Sequence, residues 1–168
     1  MSPTDANFDV DPFTRCESAI WKLLTEHDDF ARLVKPGNMQ AQAVGAAHPP
    51  NRSAAMPSDR PSATIVPAGA EDMSYTSTGV LLVQNYAVAI QCGKAKAAAM
   101  AFPLKWAAIR AVWAKRDLAD LSFVTGLQLT AATEEWQEPE SDEAAGLPGW
   151  NVALLFRVSM HFTNSQLT

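Results

Sequence analysis

Apolar and polar positions alternate along residues 150–162. Trp150, Val152, Leu154, Phe156, Val158, Met160 and Phe162 fall on one side of an extended chain, and Asn151, Ala153, Leu155, Arg157, Ser159 and His161 on the other. A period of two held over this length excludes an amphipathic helix and predicts a long antiparallel strand with one buried face. Residues 79–92 repeat the pattern, with Leu82, Tyr86, Val88 and Ile90 on one face and Leu81, Val83, Asn85, Ala87, Ala89 and Gln91 on the other; Gly93 closes the strand. Two shorter extended stretches are predicted. Residues 62–67 end at Pro67, which marks a strand end or a sheet edge. Residues 122–130 put Phe123, Leu127 and Leu129 on one face. Residues 68–72 read as a turn, and residues 74–78 as polar and extended.

Helical spacing appears twice. Asp11-Pro12 pairs an N-cap with a proline at the first helical position, where its missing N–H costs nothing. Phe13, Cys16, Ile20, Leu23 and Leu24 then share a stripe, with Trp21 beside it. The helix is expected to pause at His27-Asp28-Asp29. Asp28 then caps a further turn carrying Phe30, Leu33 and Val34, and Pro36-Gly37 stops it. The second helix spans 94–115. Its alanine-rich start favours helix, and Pro103 is read as opening a second segment after a small bend. Phe102, Trp106, Ile109, Val112 and Trp113 form its apolar stripe, with Lys105, Arg110, Lys115 and Arg116 at the margins. That stripe is expected to face the sheet, which places Trp106, Trp113 and Trp150 in the core.

Four stretches show no period. Residues 1–10 are expected to be a flexible N-terminus. Residues 37–61 form a long Pro-rich loop holding Pro49, Pro50, Pro57 and Pro61. Residues 131–149 form an acidic loop with Glu134, Glu135, Glu138, Glu140, Asp142 and Glu143 and no Lys or Arg. Residues 164–168 are a polar C-terminal tail. The expected architecture is a single α+β domain over 11–163: a mostly antiparallel sheet of about four strands with two main helices packed on one face.

Composition narrows the function classes. At 168 residues the chain is large enough for one real core. Its net charge of -5 does not suit holding a phosphate backbone by counterion release. No apolar run reaches the roughly 18 residues a membrane helix needs, and the N-terminus shows no secretion signal, so a soluble protein made in a reducing cytosol is expected. Cys16 and Cys92 lie far apart and outside any C-x-x-C pattern; both read as small buried or half-buried thiols, with a disulfide as the alternative.

No motif carries chemistry. His27, His48 and His161 lack a second His or Cys at ligand spacing, so no metal site is expected. There is no Gly-x-Ser-x-Gly, and Gly93-Lys94 lacks the preceding glycine of a phosphate loop because position 88 is Val. No catalytic residue and no cofactor is expected. Trp136, an indole inside the acidic loop, is a candidate partner contact, with local packing as the alternative. His161, on the wetter face of the last strand, is a second candidate contact. The six acidic residues are a candidate channel or rim segment, with a solvated loop as the bland alternative.

The layout as a whole resembles the small tail-terminator or tail-completion proteins of tailed bacteriophages and prophage-like particles. The resemblance is carried by the helix of residues 19–34 (AIWKLLTEHDDFARLV), the variable loop after it, strands like 63–67 and 83–91, a helix like 104–113 and two final strands. It covers about residues 15–163. The chain departs from compact members in its long Pro-rich loop and acidic insertion. The resemblance implies a structural subunit, not an enzyme. Such subunits form a ring, expected here as a hexamer, that caps the tail tube, meets the tube protein on one side and a head-side neck protein on the other, and lets DNA pass without specific binding. It implies assembly in the bacterial cytoplasm and residence in the virion tail or neck, with no membrane partner. Two alternatives stand beside it: a neck adaptor or stopper, and a small ligand-binding or enzymatic α+β domain with a pocket between helix and sheet.

Overall fold

The computed structural model describes residues 11–41, 61–93, 97–115, 118, 121–137 and 149–167. The alternating C-terminal segment forms β5 (Gly149–Thr163), and its counterpart forms β3 (Gly79–Gly93). The two run antiparallel at the middle of the sheet, with Gly79 opposite Thr163 and Gln91 opposite Asn151. β2 (Ser62–Thr76) pairs antiparallel with β3, and β4 (Val124–Gln137) pairs antiparallel with β5. A three-residue strand, β1 (Met39–Ala41), adds in parallel to β2, giving the order β1-β2-β3-β5-β4. The architecture is α+β, with four antiparallel strands as its body.

The inner face of this sheet is the core. Val152, Leu154, Phe156, Val158 and Met160 of β5 and Leu82, Tyr86, Val88 and Ile90 of β3 are all buried, as the alternation predicts. Two helices roof it. α1 (Pro12–Thr25) starts at Asp11, whose carboxylate accepts from Thr14 N (3.0 Å) and Thr14 Oγ1 (2.9 Å). Partial burial pushes the Asp11 carboxyl upward, but the capping bonds from Thr14 outweigh it and hold the group below its usual range. Cys16, Ile20, Leu23 and Leu24 are its buried stripe. Trp21 Nε1 donates to Met39 O at 3.0 Å and so ties α1 to β1. α2 (Asp28–Leu33) follows, and a 3-10 turn (Pro36–Asn38) leads into β1. The N-cap of α2 is His27, without a side-chain cap bond, so Asp28 opens the first turn rather than capping it.

Several sequence expectations are corrected. β2 is one strand: residues 74–76 are extended as expected, but the strand does not end at Pro67 and residues 68–72 are not a turn. Register shifts at 67/70 and 70/72 absorb Pro67 and Gly69 as irregularities, and pairing with β3 continues to Thr76. β4 runs on to Gln137, so Glu134, Glu135 and Trp136 lie on a strand rather than in a loop. α3 (Ala97–Ala114) is one helix running through Pro103. The residues following Leu33 in the Pro-rich segment already form the 3-10 turn and β1, and residues 164–167 form the short helix α4 (Asn164–Leu167). The flexible N-terminus expected over 1–10, the remainder of the Pro-rich loop over 42–60 and the acidic residues Glu138, Glu140, Asp142 and Glu143 lie outside the described residues.

The largest correction concerns α3. Its sheet-facing residues are Ala101, Leu104, Ala107, Ala108, Ala111 and Val112, all buried. Phe102, Trp106, Ile109 and Trp113 point outward and are 67%, 62%, 45% and 73% exposed. Volume explains the choice. The inner face of the sheet already carries large side chains such as Leu154, Phe156 and Val158, so a helix packed closely on it needs small residues on the facing side. The alanine side lets the helix come close; the aromatic side would hold it off.

Candidate functional site

α3 is apolar on both sides, and a helix apolar all round is normally buried all round. Among the described residues the chain covers only one side. Phe102, Trp106, Ile109 and Trp113 recur at spacings of four, three and four, which is one continuous ridge on a helix. The ridge borders an open groove of about 510 Å³ lined by His27, Trp106, Ile109, Arg110, Trp113 and Ala114. Charged pairs frame it. Arg110 Nη1 meets Asp29 Oδ2 at 2.5 Å, Lys115 Nζ meets Glu26 Oε2 at 3.2 Å, and Lys105 Nζ meets Glu134 Oε2 at 2.8 Å. Lys105 also stands 5.7 Å from the Phe102 ring centroid. These bridges tie α3 to α2, to the end of α1 and to β4.

The second exposed apolar surface is the far half of the β2–β3 hairpin. Residues 67–78 are all exposed. β1 covers the outer edge of β2 only at residues 63–65, so the rest of that edge is open among the described residues. Met73 pairs with Leu82 and Tyr75 with Val80, which places Met73 and Tyr75 on the same face as the buried Leu82. That face is the inner one, extended beyond the reach of the helices. Met73 is 53% exposed and Tyr75 79%. The tip is stiff. Arg157 Nε donates to Glu71 Oε2 and Asn85 Nδ2 to Glu71 Oε1, bonds of 2.8 and 2.9 Å that tie β2 to β5 and β3. The Asn85 bond, then Arg157, holds the Glu71 carboxyl below its usual range.

The sequence-predicted contact residues are dispersed. His161 is half-buried on β5, and its backbone N–H donates to Phe123 O at 2.8 Å. Trp136 lies opposite Trp150 in the β4–β5 register, a strand position and not an isolated loop indole. Glu134 is paired with Lys105 beside α3, so it is not part of an unbroken acidic surface. Glu135 is its strand neighbour, and the remaining four acidic residues lie outside the described residues. Tryptophan size drew sequence reasoning toward burial and hid the ridge. The signal available was the alanine face opposite it, which is just as periodic. The hairpin surface was hidden by the polar residues around Met73 and Tyr75.

A smaller groove of about 210 Å³ lies at the hairpin base, lined by Phe13, Thr14, Glu17, Pro67, Gln84 and Tyr86. Tyr86 Oη donates to Phe13 O at 2.8 Å, which uses its proton structurally. Burial, then the neighbouring Cys16 and Glu17, pushes the Tyr86 phenol well above its usual range. Burial pushes the Cys16 thiol up to about 12 and the Cys92 thiol up to about 11, so both are protonated at neutral pH, and both are free. Among the described residues no group of three or more His, Cys, Asp or Glu could hold a metal ion, and no helix is long and apolar enough to cross a membrane. What the surface offers is apolar area for a macromolecular contact.

No protein-family model and no curated protein matches the chain. Among solved structures, the fold is similar to that of a chain in the virion of a native gene transfer agent (GTA) particle. The TM-score is 0.55 at 18% sequence identity, over 87% of this chain and 94% of that one. At that identity the likeness is one of fold, and it spans nearly the whole of both chains.

Proposed function

We propose that the chain is a structural subunit of a phage-like particle, and that it forms a ring at the neck or tail end. The observation that carries this reading is the near full-length likeness of its fold to a chain of a gene transfer agent virion. The two exposed apolar surfaces support it, since a rigid α+β body with an uncovered aromatic ridge on one element and an uncovered hairpin on another suits a subunit with neighbours. The finer reading is a tail-terminator role. The ring, a hexamer, ends the tube, meets the tube protein on one side and a head-side neck protein on the other, and passes DNA through its opening. The net charge of -5 suits a lumen that must not grip phosphates. Size-exclusion chromatography with light scattering on the full chain tests the reading. A discrete multimer is expected, and a strict monomer at high protein concentration overturns it.

A further inference from the structure

We infer that the α3 ridge of one copy receives the β2–β3 hairpin of the next copy, a head-to-tail contact between two different surfaces of the same chain. The inference rests on the ring reading and names the contact that would build it.

Area favours a protein occupant. At roughly 150–250 Å² per aromatic side chain, the exposed fractions of Phe102, Trp106, Ile109 and Trp113 amount to roughly 500 Å² of apolar surface. That is more than half of the roughly 800 Å² each partner buries in a standard interface. The hairpin of the same chain does not cover it, because residues 67–78 are all exposed. The hairpin has the matching need. Met73 and Tyr75 continue the apolar inner face of the sheet past the last helix, so a helix supplied by another molecule completes the layer there. Their spacing along the strand, about 6.6 Å, is close to the roughly 5.4 Å between turns of the ridge. Methionine sulfur also packs well against indole rings.

Charge points the same way. The competing arrangement is a two-fold contact of α3 against α3. An antiparallel overlay centred on the ridge sets Lys105 opposite Arg110 of the other copy, a like-charge juxtaposition that disfavours it.

Cross-linking tests the contact directly, with a clean background because Cys16 and Cys92 are buried. Full-length Met73→Cys and Ile109→Cys proteins are made singly and together, then oxidised with copper–phenanthroline. The double variant is expected to give a disulfide ladder beyond the dimer. Mixing the two single variants is expected to give a one-to-one linked dimer and nothing larger. Tyr75→Glu or Trp106→Glu is expected to raise the concentration for half-assembly at least about tenfold. Linked dimers from Ile109→Cys alone, without a 73–109 product, overturn the inference in favour of a two-fold contact. A multimer by light scattering that gives no 73–109 product overturns this contact and leaves the ring standing. A strict monomer overturns both.

Discussion

Gly79 begins β3 at a φ of +153°, and a Cβ placed there would sit 1.9 Å from Phe162 O. Backbone cannot yield as a side-chain tip can, so Gly79→Ala is expected to cost about 2–4 kcal/mol in urea unfolding. Tyr86→Phe removes the bond to Phe13 O and leaves a carbonyl short of a donor; a loss of about 1 kcal/mol is expected by the same measurement. The buried thiols set an alkaline limit. Well below the ordinary thiol pKa of about 9 both cysteines are protonated in the folded and unfolded chain, and they place no pH dependence on stability. As pH approaches and passes that value the unfolded chain releases protons that the fold retains up to about 12 at Cys16 and about 11 at Cys92, so stability falls as pH rises through this window. Urea midpoints between pH 8 and 11 are expected to decline, and titration with a thiol reagent at pH 8 is expected to find both cysteines unreactive until urea is added. A midpoint flat to pH 11 contradicts the burial. At this scale the sequence was readable where one residue has one job: the Asp11 cap and the stripe of Cys16, Ile20, Leu23 and Leu24 stand where spacing put them.

α3 shows why elements were harder. Alternation left β3 and β5 a single solution, since one face of each is apolar but for Gln84 and the other is broken by Asn85, Gln91, Asn151, Arg157 and Ser159. The helix carries two apolar faces, and hydropathy alone does not rank them. Packing does, by volume, and it chose Ala101, Leu104, Ala107, Ala108 and Ala111. Leu104→Ala is therefore expected to cost about 2–5 kcal/mol, while Trp106→Gln changes unfolding free energy by no more than about 0.5 kcal/mol despite removing the larger side chain. Equal losses would return the tryptophan to the core. The length of β2 was concealed for another reason. Its bulges at 67/70 and 70/72 break the alternation between them, and only past the second do Met73 and Tyr75 return to the inner face in phase with Ala63 and Ile65. β4 ran past its expected end because the acidic composition of Glu134 and Glu135 reads as loop, although Glu134 is satisfied by Lys105.

On the scale of the molecule, the layers were legible and the contacts between copies were not. A sheet roofed on one side follows from two alternating strands and two amphipathic stretches. Which apolar surface stays uncovered depends on where the roof ends, and that is a property of packed coordinates. The roof ends short of Met73 and Tyr75 and faces its own aromatic ridge outward. Those two surfaces, with a fold similar to that of a virion chain, are the ground for the proposal of a subunit that closes on copies of itself. Electron microscopy of the purified full chain at high concentration is the most direct check. Closed rings of one subunit number, with a central opening, are the expected image; isolated monomers, or open filaments of indefinite length, would contradict it.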